Sequence, residues 1–101
     1  MADKLHSPAA DSLFEGILAL ETTEECYAFF EDLLTVNEFQ AAAQRFAVAN
    51  MLRRGETYLD IAAETGASTA TISRVNRALN YGADGYDTII KRLAAKEAAE
   101  E

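Results

Sequence analysis

The chain has 101 residues, of which half are hydrophobic, with one proline and five glycines. This length allows one domain with a modest core, and the composition is typical of a globular, all-helical chain. The single cysteine, Cys26, excludes an internal disulfide bond, and the sequence has neither a signal peptide nor an apolar span of membrane length. We therefore expect a single helical domain over residues 1–101 that is cytoplasmic and has no membrane partner.

The formal net charge of −8 is concentrated in the first part of the chain. Residues 1–43 contain nine acids and one base, whereas residues 44–101 contain eight of each. Residues 44–77 contain five arginines and only three carboxylates. Because phosphate contacts depend on local charge, the second part of the chain remains a candidate for nucleic-acid binding.

Helix start signals predict three helices in the first half of the chain. The signals are Ser7 with Pro8, and two capping boxes, Thr22 with Glu25 and Thr35 with Glu38. The first two helices carry apolar stripes that we expect to be buried, formed by Ala10, Leu13, Phe14, Ile17 and Leu18, and by Cys26, Tyr27, Phe30, Leu33 and Leu34. Residues 1–6 have no periodicity and are expected to be mobile.

The third predicted helix, over 35–54, is apolar on two faces and ends at Gly55. One face contains Val36, Phe39, Ala43 and Phe46, and the other contains Val48, Met51 and Leu52. A helix with two apolar faces is covered on two sides. Either a second subunit or neighbouring helices of the same chain can supply that cover.

Residues 57–79 have the pattern of a helix-turn-helix. Thr57 is a predicted N-cap, Gly66 ends the first helix, and Ser68 or Thr69 caps the second. Ala62 is small enough for the two helices to cross closely. The apolar stripe of the second helix consists of Ile72, Val75 and Leu79, and its opposite face consists of Thr69, Ala70, Ser73, Arg74 and Arg77.

Short polar side chains followed by arginines are typical of a helix that enters the DNA major groove. We predict that Thr69, Ala70 and Ser73 lie at base edges, and that Arg74 and Arg77 contact bases or phosphates. Ser68 is predicted to belong to the same DNA-binding surface. Thr57 and Tyr58 are predicted to contact the DNA backbone. The alternative interpretation of residues 57–79 is an ordinary helical hairpin within a bundle.

A turn over residues 80–85 is expected to end the second helix, and Asp84 is the predicted cap of the last one. The last helix is expected to bury Tyr86, Ile89, Ile90 and Leu93, and residues 95–101 are expected to fray. With one histidine, His6, and one cysteine, the chain has no catalytic set and no metal-ligand spacing. We therefore predict neither an enzyme nor a metal site.

Residues 34–86 resemble the tryptophan-repressor-like family, and within it the YerC/YecD branch of small bacterial proteins. The resemblance rests on Leu34-Thr35 with Glu38, on Arg45, on Leu52-Arg53-Arg54-Gly55-Glu56, on Gly66-Ala67-Ser68 leading into Ala70-Thr71-Ile72-Ser73-Arg74, and on the segment from Asn76 to Tyr86. It implies an all-α fold of five to six helices and an intertwined homodimer. Two helix-turn-helix heads would then read successive major grooves.

The resemblance also implies tryptophan as a corepressor, held by Thr35, Arg45 and Arg74. One departure argues against this effector. The family has glycine directly after the arginine of its recognition helix, whereas this chain has Val75, whose branched side chain would occupy the ligand's space. We therefore predict no cofactor, and a structural or phosphate-contacting role for the two arginines.

The sequence thus predicts a sequence-specific DNA-binding transcriptional regulator that acts as a homodimer. The alternative is a non-catalytic scaffold that binds a protein partner through its acidic N-terminal helices. The charge asymmetry between the two parts of the chain motivates this alternative.

Overall fold

The computed structural model describes residues 4–100, and that range contains six α-helices and no strand. The helices are α1 (Pro8–Leu18), α2 (Thr23–Leu33), α3 (Val36–Arg53), α4 (Tyr58–Thr65), α5 (Thr69–Tyr81) and α6 (Gly85–Glu100). The predicted all-α fold is confirmed. Part of the mobility prediction concerns residues 1–3 and 101, which lie outside the described residues.

Local capping explains where most of the helices begin. The hydroxyl oxygens of Ser7, Thr57 and Ser68 each accept a hydrogen bond from the backbone N–H three residues later, at 3.0 to 3.1 Å. Thr35 and Glu38 form a complete capping box, with reciprocal bonds of 2.8 and 3.1 Å. These bonds satisfy N–H groups that the first turn of a helix leaves without partners.

The predicted capping box at Thr22 is only half formed. Thr22 accepts from the N–H of Glu25 at 3.1 Å, as expected. The Glu25 carboxylate, however, accepts from the N–H of Glu21 at 2.8 Å, one residue before the expected donor. The helix start is nevertheless where the sequence places it.

The chain divides into two compact units within α3, the first ending at Phe39 and the second beginning at Gln40. In the first unit, neither α1 nor α2 contains a buried residue. Several side chains that we expected to be buried are largely exposed, namely Phe14, Leu18, Tyr27, Leu33 and Val36. Within the single chain these residues are not buried, because this unit has too little chain of its own to cover its apolar faces.

The second unit contains the buried core, which is formed by α3, α4, α5 and the turn between α4 and α5. Its members are at most 5% exposed and are Val48, Ala49, Ile61, Ala67, Ile72, Val75 and Leu79. Partly buried side chains of α6 pack against this cluster, and the rings of Phe46 and Tyr86 stack at 6.4 Å. The core therefore lies directly beneath the predicted helix-turn-helix.

Several features near the C-terminus differ from the sequence prediction. α5 continues to Tyr81, two residues into the expected turn, and ends at Gly82. Asp84 has a φ of +66°, and its backbone carbonyl accepts from both the N–H and the hydroxyl of Thr88. Ile89 and Leu93 remain 43% exposed rather than buried. α6 runs to Glu100, so the expected fraying of the tail stays a prediction.

Candidate nucleic-acid interface

The turn between α4 and α5 has the geometry that a helix-turn-helix requires. Gly66 adopts a φ of +73°, a left-handed conformation that glycine accepts without steric cost, and its N–H donates to the carbonyl of Ala62 at 2.9 Å. Ala67, which follows, is buried in the core. The Thr65 hydroxyl donates to the carbonyl of Ile61 and accepts from the N–H of Ala67, at 2.7 and 3.1 Å. The turn is thus held by its own side chains.

α5 has two distinct faces. Ile72, Val75 and Leu79 are at most 3% exposed and anchor the helix to the core. The residues predicted to contact DNA lie on the other side and are exposed, namely Thr69, Ala70, Ser73, Arg74 and Arg77. The packing therefore presents the predicted reading face to solvent.

A shallow groove of about 530 Å³ runs along this exposed face, which we call the α5 groove. It is lined by Tyr58, Ala70, Ser73, Arg74, Asn76, Arg77, Asn80 and Tyr81. The lining contains two arginines and no carboxylate, although the chain as a whole carries a net charge of −8. Such a positively charged, polar surface suits a phosphate-rich ligand.

Ion pairs reduce the number of arginines that are available to a ligand. Arg53 pairs with Asp87, and Arg54 pairs with Glu56 at 3.0 Å. Arg45, Arg74 and Arg77 form no ion pair within residues 4–100. Of the five arginines in residues 44–77, three are therefore available to a ligand, and two of these three line the α5 groove.

Arg53 connects the ends of three helices at the edge of the core. Its guanidinium donates to both carboxylate oxygens of Asp87, at 2.6 and 2.8 Å, and to the carbonyl of Leu79 at 3.1 Å. We call this set of bonds the Arg53 clamp. Its hydrogen bond lowers the pKa of Asp87 and raises that of Arg53. The clamp fixes the C-terminal part of α5 to α3 and α6.

A second hydrogen bond fixes α4. The amide of Gln44 in α3 donates to the carbonyl of Thr65, the last residue of α4, at 3.1 Å. A carbonyl at a helix end has no intrahelical donor, so this bond satisfies a group that would otherwise need water. Both helices of the helix-turn-helix are thus tied to α3 by side chains.

The predicted DNA-contacting residues do not all lie in the α5 groove. Tyr58, Ala70, Ser73, Arg74 and Arg77 line it, whereas Thr57, Ser68 and Thr69 do not. The Thr57 and Ser68 hydroxyls are used as helix caps. Their predicted DNA contacts, like those of the other residues, stay predictions.

The predicted effector residues are distributed over both units. Thr35 lies in the first unit, where its hydroxyl and N–H form the capping box and its carbonyl accepts from the N–H of Phe39 at 2.9 Å. Arg45 and Arg74 lie in the second unit, and only Arg74 lines the α5 groove. Val75 is 2% exposed and packed in the core, as its place in the apolar stripe predicts.

No group of three or more histidine, cysteine, aspartate or glutamate side chains within residues 4–100 could hold a metal ion. Over the same range, no helix is long and apolar enough to cross a membrane.

The Trp repressor protein family model matches residues 9–94 of this sequence. The chain belongs to the Trp repressor protein family. It is 57% identical over 95 residues to YerC of Bacillus subtilis (strain 168), described as an uncharacterized protein, and this match covers 94% of the chain and 91% of YerC. The resemblance to the YerC branch is therefore confirmed.

Two solved structures from the Trp repressor family have a similar fold. A TrpR-like protein from Eubacterium eligens ATCC 27750 is 59% identical, with a TM-score of 0.88 over 91% of this chain and 95% of the other. A putative Trp repressor from Staphylococcus aureus is 54% identical, also with a TM-score of 0.88, over 91% of this chain and 92% of the other. The Trp-repressor-like fold is thus confirmed, and the family is one of DNA-binding regulators.

Sequence reasoning missed several residues that shape this site. Tyr81 and Asn80 line the α5 groove, but the Asn-Tyr-Gly sequence indicated a turn. Asp87 and Gln44 hold the two helices in place through partners 34 and 21 residues away. The spacing of Arg77 and Tyr81, four residues apart on one helical face, was the one local signal that could have extended the predicted surface.

Proposed function

We propose that the protein is a sequence-specific DNA-binding transcriptional regulator that acts in the cytoplasm as a homodimer. The observation that carries this proposal is the α5 groove, whose lining has two arginines without carboxylate partners and no acidic residue. Membership of the Trp repressor family supports it. In this proposal Ala70 and Ser73 meet base edges, and Arg74 and Arg77 contact bases or phosphates.

The other predicted contacts lie around the groove. Thr57 and Tyr58 lie at the N-terminus of α4, and Ser68 and Thr69 lie at the N-terminus of α5. Such ends favour anions because their first N–H groups have no intrahelical acceptor. We propose that these four residues contact the DNA backbone or the base edges beside it.

The homodimer is proposed from the exposed apolar faces of the N-terminal helices. Leu18, Tyr27 and Val36 are 84%, 62% and 71% exposed, and α1 and α2 contain no buried residue. Short helices in water depend on packing for their stability, so these faces need a cover. A second copy of the chain supplies it and places two α5 helices about 34 Å apart, the spacing of successive major grooves.

We propose that DNA binding does not require tryptophan. Val75 is in the core, and α5 is held by Ile72, Val75, Leu79 and the Arg53 clamp without a ligand. A ligand wedged beneath α5 would have to displace this packing, at a cost of a few kcal/mol. Arg45 and Arg74 are then available for phosphates.

The deciding experiment is selection of bound fragments from sheared host DNA at about physiological salt, with and without tryptophan. We expect enrichment of a palindrome with half-sites about one helical turn apart, equally in both arms. Enrichment only with tryptophan would contradict the proposal that DNA binding does not require tryptophan. No enrichment in either arm would contradict DNA reading, and a co-purifying protein would then favour the scaffold alternative.

Substitution of Arg77 tests the groove directly. Arg77→Ala should weaken binding to every sequence and reduce the slope of log K against log salt by about 1.8 for the proposed dimer, because each subunit loses one phosphate contact worth about 0.9. Arg92→Ala, an exposed arginine on α6, is the matched control and should change neither quantity.

Ser73→Ala should instead change base preference and leave the salt slope intact.

If Arg77→Ala bound as tightly as the native protein, with the same salt slope, α5 would not be the DNA-contacting helix. Binding constants measured by fluorescence anisotropy at several salt concentrations decide between these results.

A further inference from the structure

Tyr81 is the most exposed aromatic residue of the second unit and is the last residue of α5. Its side chain is 86% exposed, whereas that of Tyr58, on the other side of the α5 groove, is 36% exposed. The ring of Tyr86, by contrast, stacks on Phe46. An exposed tyrosine offers a rigid apolar ring and a hydroxyl donor, a combination that is enriched where proteins bind partners.

Helix geometry places Tyr81 on the same face as the proposed DNA contacts. Tyr81 follows Ala70 by eleven positions, which is just over three turns at 3.6 residues per turn. The two side chains therefore point within about 20° of each other. Arg74 and Arg77 lie within about 40° of the same direction. The proposed reading surface therefore continues to the end of α5.

The length of α5 determines which part of DNA Tyr81 can reach. Eleven residues of helix rise about 16 Å, whereas the major groove is about 12 Å wide. In the proposed complex, with α5 crossing the groove and its first residues at base edges, the last residue of the helix would lie beside the flanking sugar–phosphate strand.

Asn80 is not available for the same role. Its amide nitrogen donates to the backbone carbonyl of Asn76 at 3.0 Å and lies 3.3 Å from the Asn76 side-chain oxygen. The Tyr81 hydroxyl has no hydrogen-bond partner within residues 4–100 and is free to donate.

We propose that Tyr81 is a further DNA-contacting residue, whose hydroxyl donates a hydrogen bond to a backbone phosphate one turn beyond Arg77. This inference rests on the proposed function and adds a contact that positions the protein on DNA without reading sequence. Tyrosine is among the residues that bond phosphate oxygens in this way.

The test compares dissociation constants of the native protein, Tyr81→Phe and Tyr81→Ala. The probes are a duplex with the selected half-sites and a duplex of scrambled sequence and equal length, each over a range of salt concentrations. Tyr81→Phe should weaken binding to both probes about ten- to a hundredfold, as expected for a hydrogen bond to a charged group. The salt slope should not change, because a neutral donor releases no counterion.

Two controls make the result specific. Arg92→Ala changes an exposed side chain of α6 outside the α5 groove and should bind like the native protein. Tyr81→Ala should weaken binding at least as much as Tyr81→Phe and should sediment as the native protein does.

Several outcomes would overturn the inference. Unchanged affinity of Tyr81→Phe on both probes would exclude the phosphate bond, and a loss confined to the selected probe would assign Tyr81 to a base. A changed oligomeric state of Tyr81→Ala would place this side chain in a subunit interface. Arg77→Ala in the same assay separates the two proposals: if it weakens binding and Tyr81→Phe does not, only the inference about Tyr81 fails.

Discussion

Gly82 has a backbone position that only glycine fits. A Cβ atom at this residue would lie 2.4 Å from the carbonyl oxygen of Ala78, the same oxygen that accepts the Gly82 N–H bond at 2.9 Å. The atom in the way is backbone, so it cannot move without disturbing the last turn of α5. Gly82 therefore allows the chain to change direction at the end of α5.

We predict that Gly82→Ala destabilises the protein by about 2 kcal/mol, in the range of an overpacking substitution. Urea denaturation followed by circular dichroism measures this change. Gly85→Ala is the matched control, since a Cβ atom at Gly85 would meet nothing within 4 Å and the φ of this residue is not positive. It should be neutral or stabilise by a few tenths of a kcal/mol. Equal effects of the two substitutions would contradict the steric explanation.

Local residue patterns predicted the helix starts because capping involves residues only three apart. Ser7, Thr35, Thr57 and Ser68 all cap as expected. The end of α5 could not be predicted in this way. Asn80 and Gly82 are of types common in turns, but Leu79 is held in the core and the Asn80 amide bonds to its own helix, so the helix continues.

At the scale of the elements, the Arg53 clamp orients α5 and α6. Arg53 and Asp87 expose 35% and 21% of their side chains, and Arg53 also donates to the carbonyl of Leu79. Sequence reasoning assigned Arg53 to the basic surface, because a partner 34 residues away leaves no local pattern. The same limit applies to Gln44 and Thr65, which are 21 residues apart.

The clamp predicts a pH dependence of stability. The hydrogen bond from Arg53, with a smaller contribution from Lys91, lowers the pKa of Asp87 in the folded protein. A lowered carboxyl pKa stabilises the fold above the pKa of the unfolded chain, and this contribution is lost as the pH falls through the folded value. Asp87→Asn should therefore be less stable than the native protein at neutral pH, and the difference should shrink as the pH falls below about 3.9, the pKa of an aspartate in an unfolded chain.

Urea unfolding midpoints of both proteins across this pH range provide the measurement. Glu97→Gln, on an exposed part of α6, should follow the native curve at every pH. A constant difference between Asp87→Asn and the native protein would show that the ion pair is not its source.

At the scale of the whole molecule, burial is unevenly distributed along the chain. The buried core lies entirely between Val48 and Leu79, and the helices before it expose apolar faces. The two-faced third helix allowed for cover by a second subunit, and the proposed second subunit would cover the apolar faces that one chain leaves exposed. The number of subunits itself is not encoded in a local pattern, which is why the sequence left two possibilities open.

We predict that Leu18→Asp disrupts the proposed dimer. Leu18 is 84% exposed in the single chain, and a carboxylate in a buried apolar interface should raise the dimer dissociation constant about a hundredfold or more. Analytical ultracentrifugation measures this change. Leu59→Asp makes the same substitution at an 81% exposed leucine of α4 and should leave the dimer intact. If the dimer were equally stable in both variants, α1 would not be part of the subunit interface.

The two side-chain ties from α3, Gln44 to Thr65 and Arg53 to Leu79, have a kinetic consequence for a protein that reads DNA as proposed. They join the last residue of α4 and a late residue of α5 to one helix, so the reading surface is ordered before DNA arrives. The entropy of ordering it is lost during folding rather than during binding. Association is then limited by diffusion and alignment of the two molecules, and differences among operators appear mainly in how long each complex lasts.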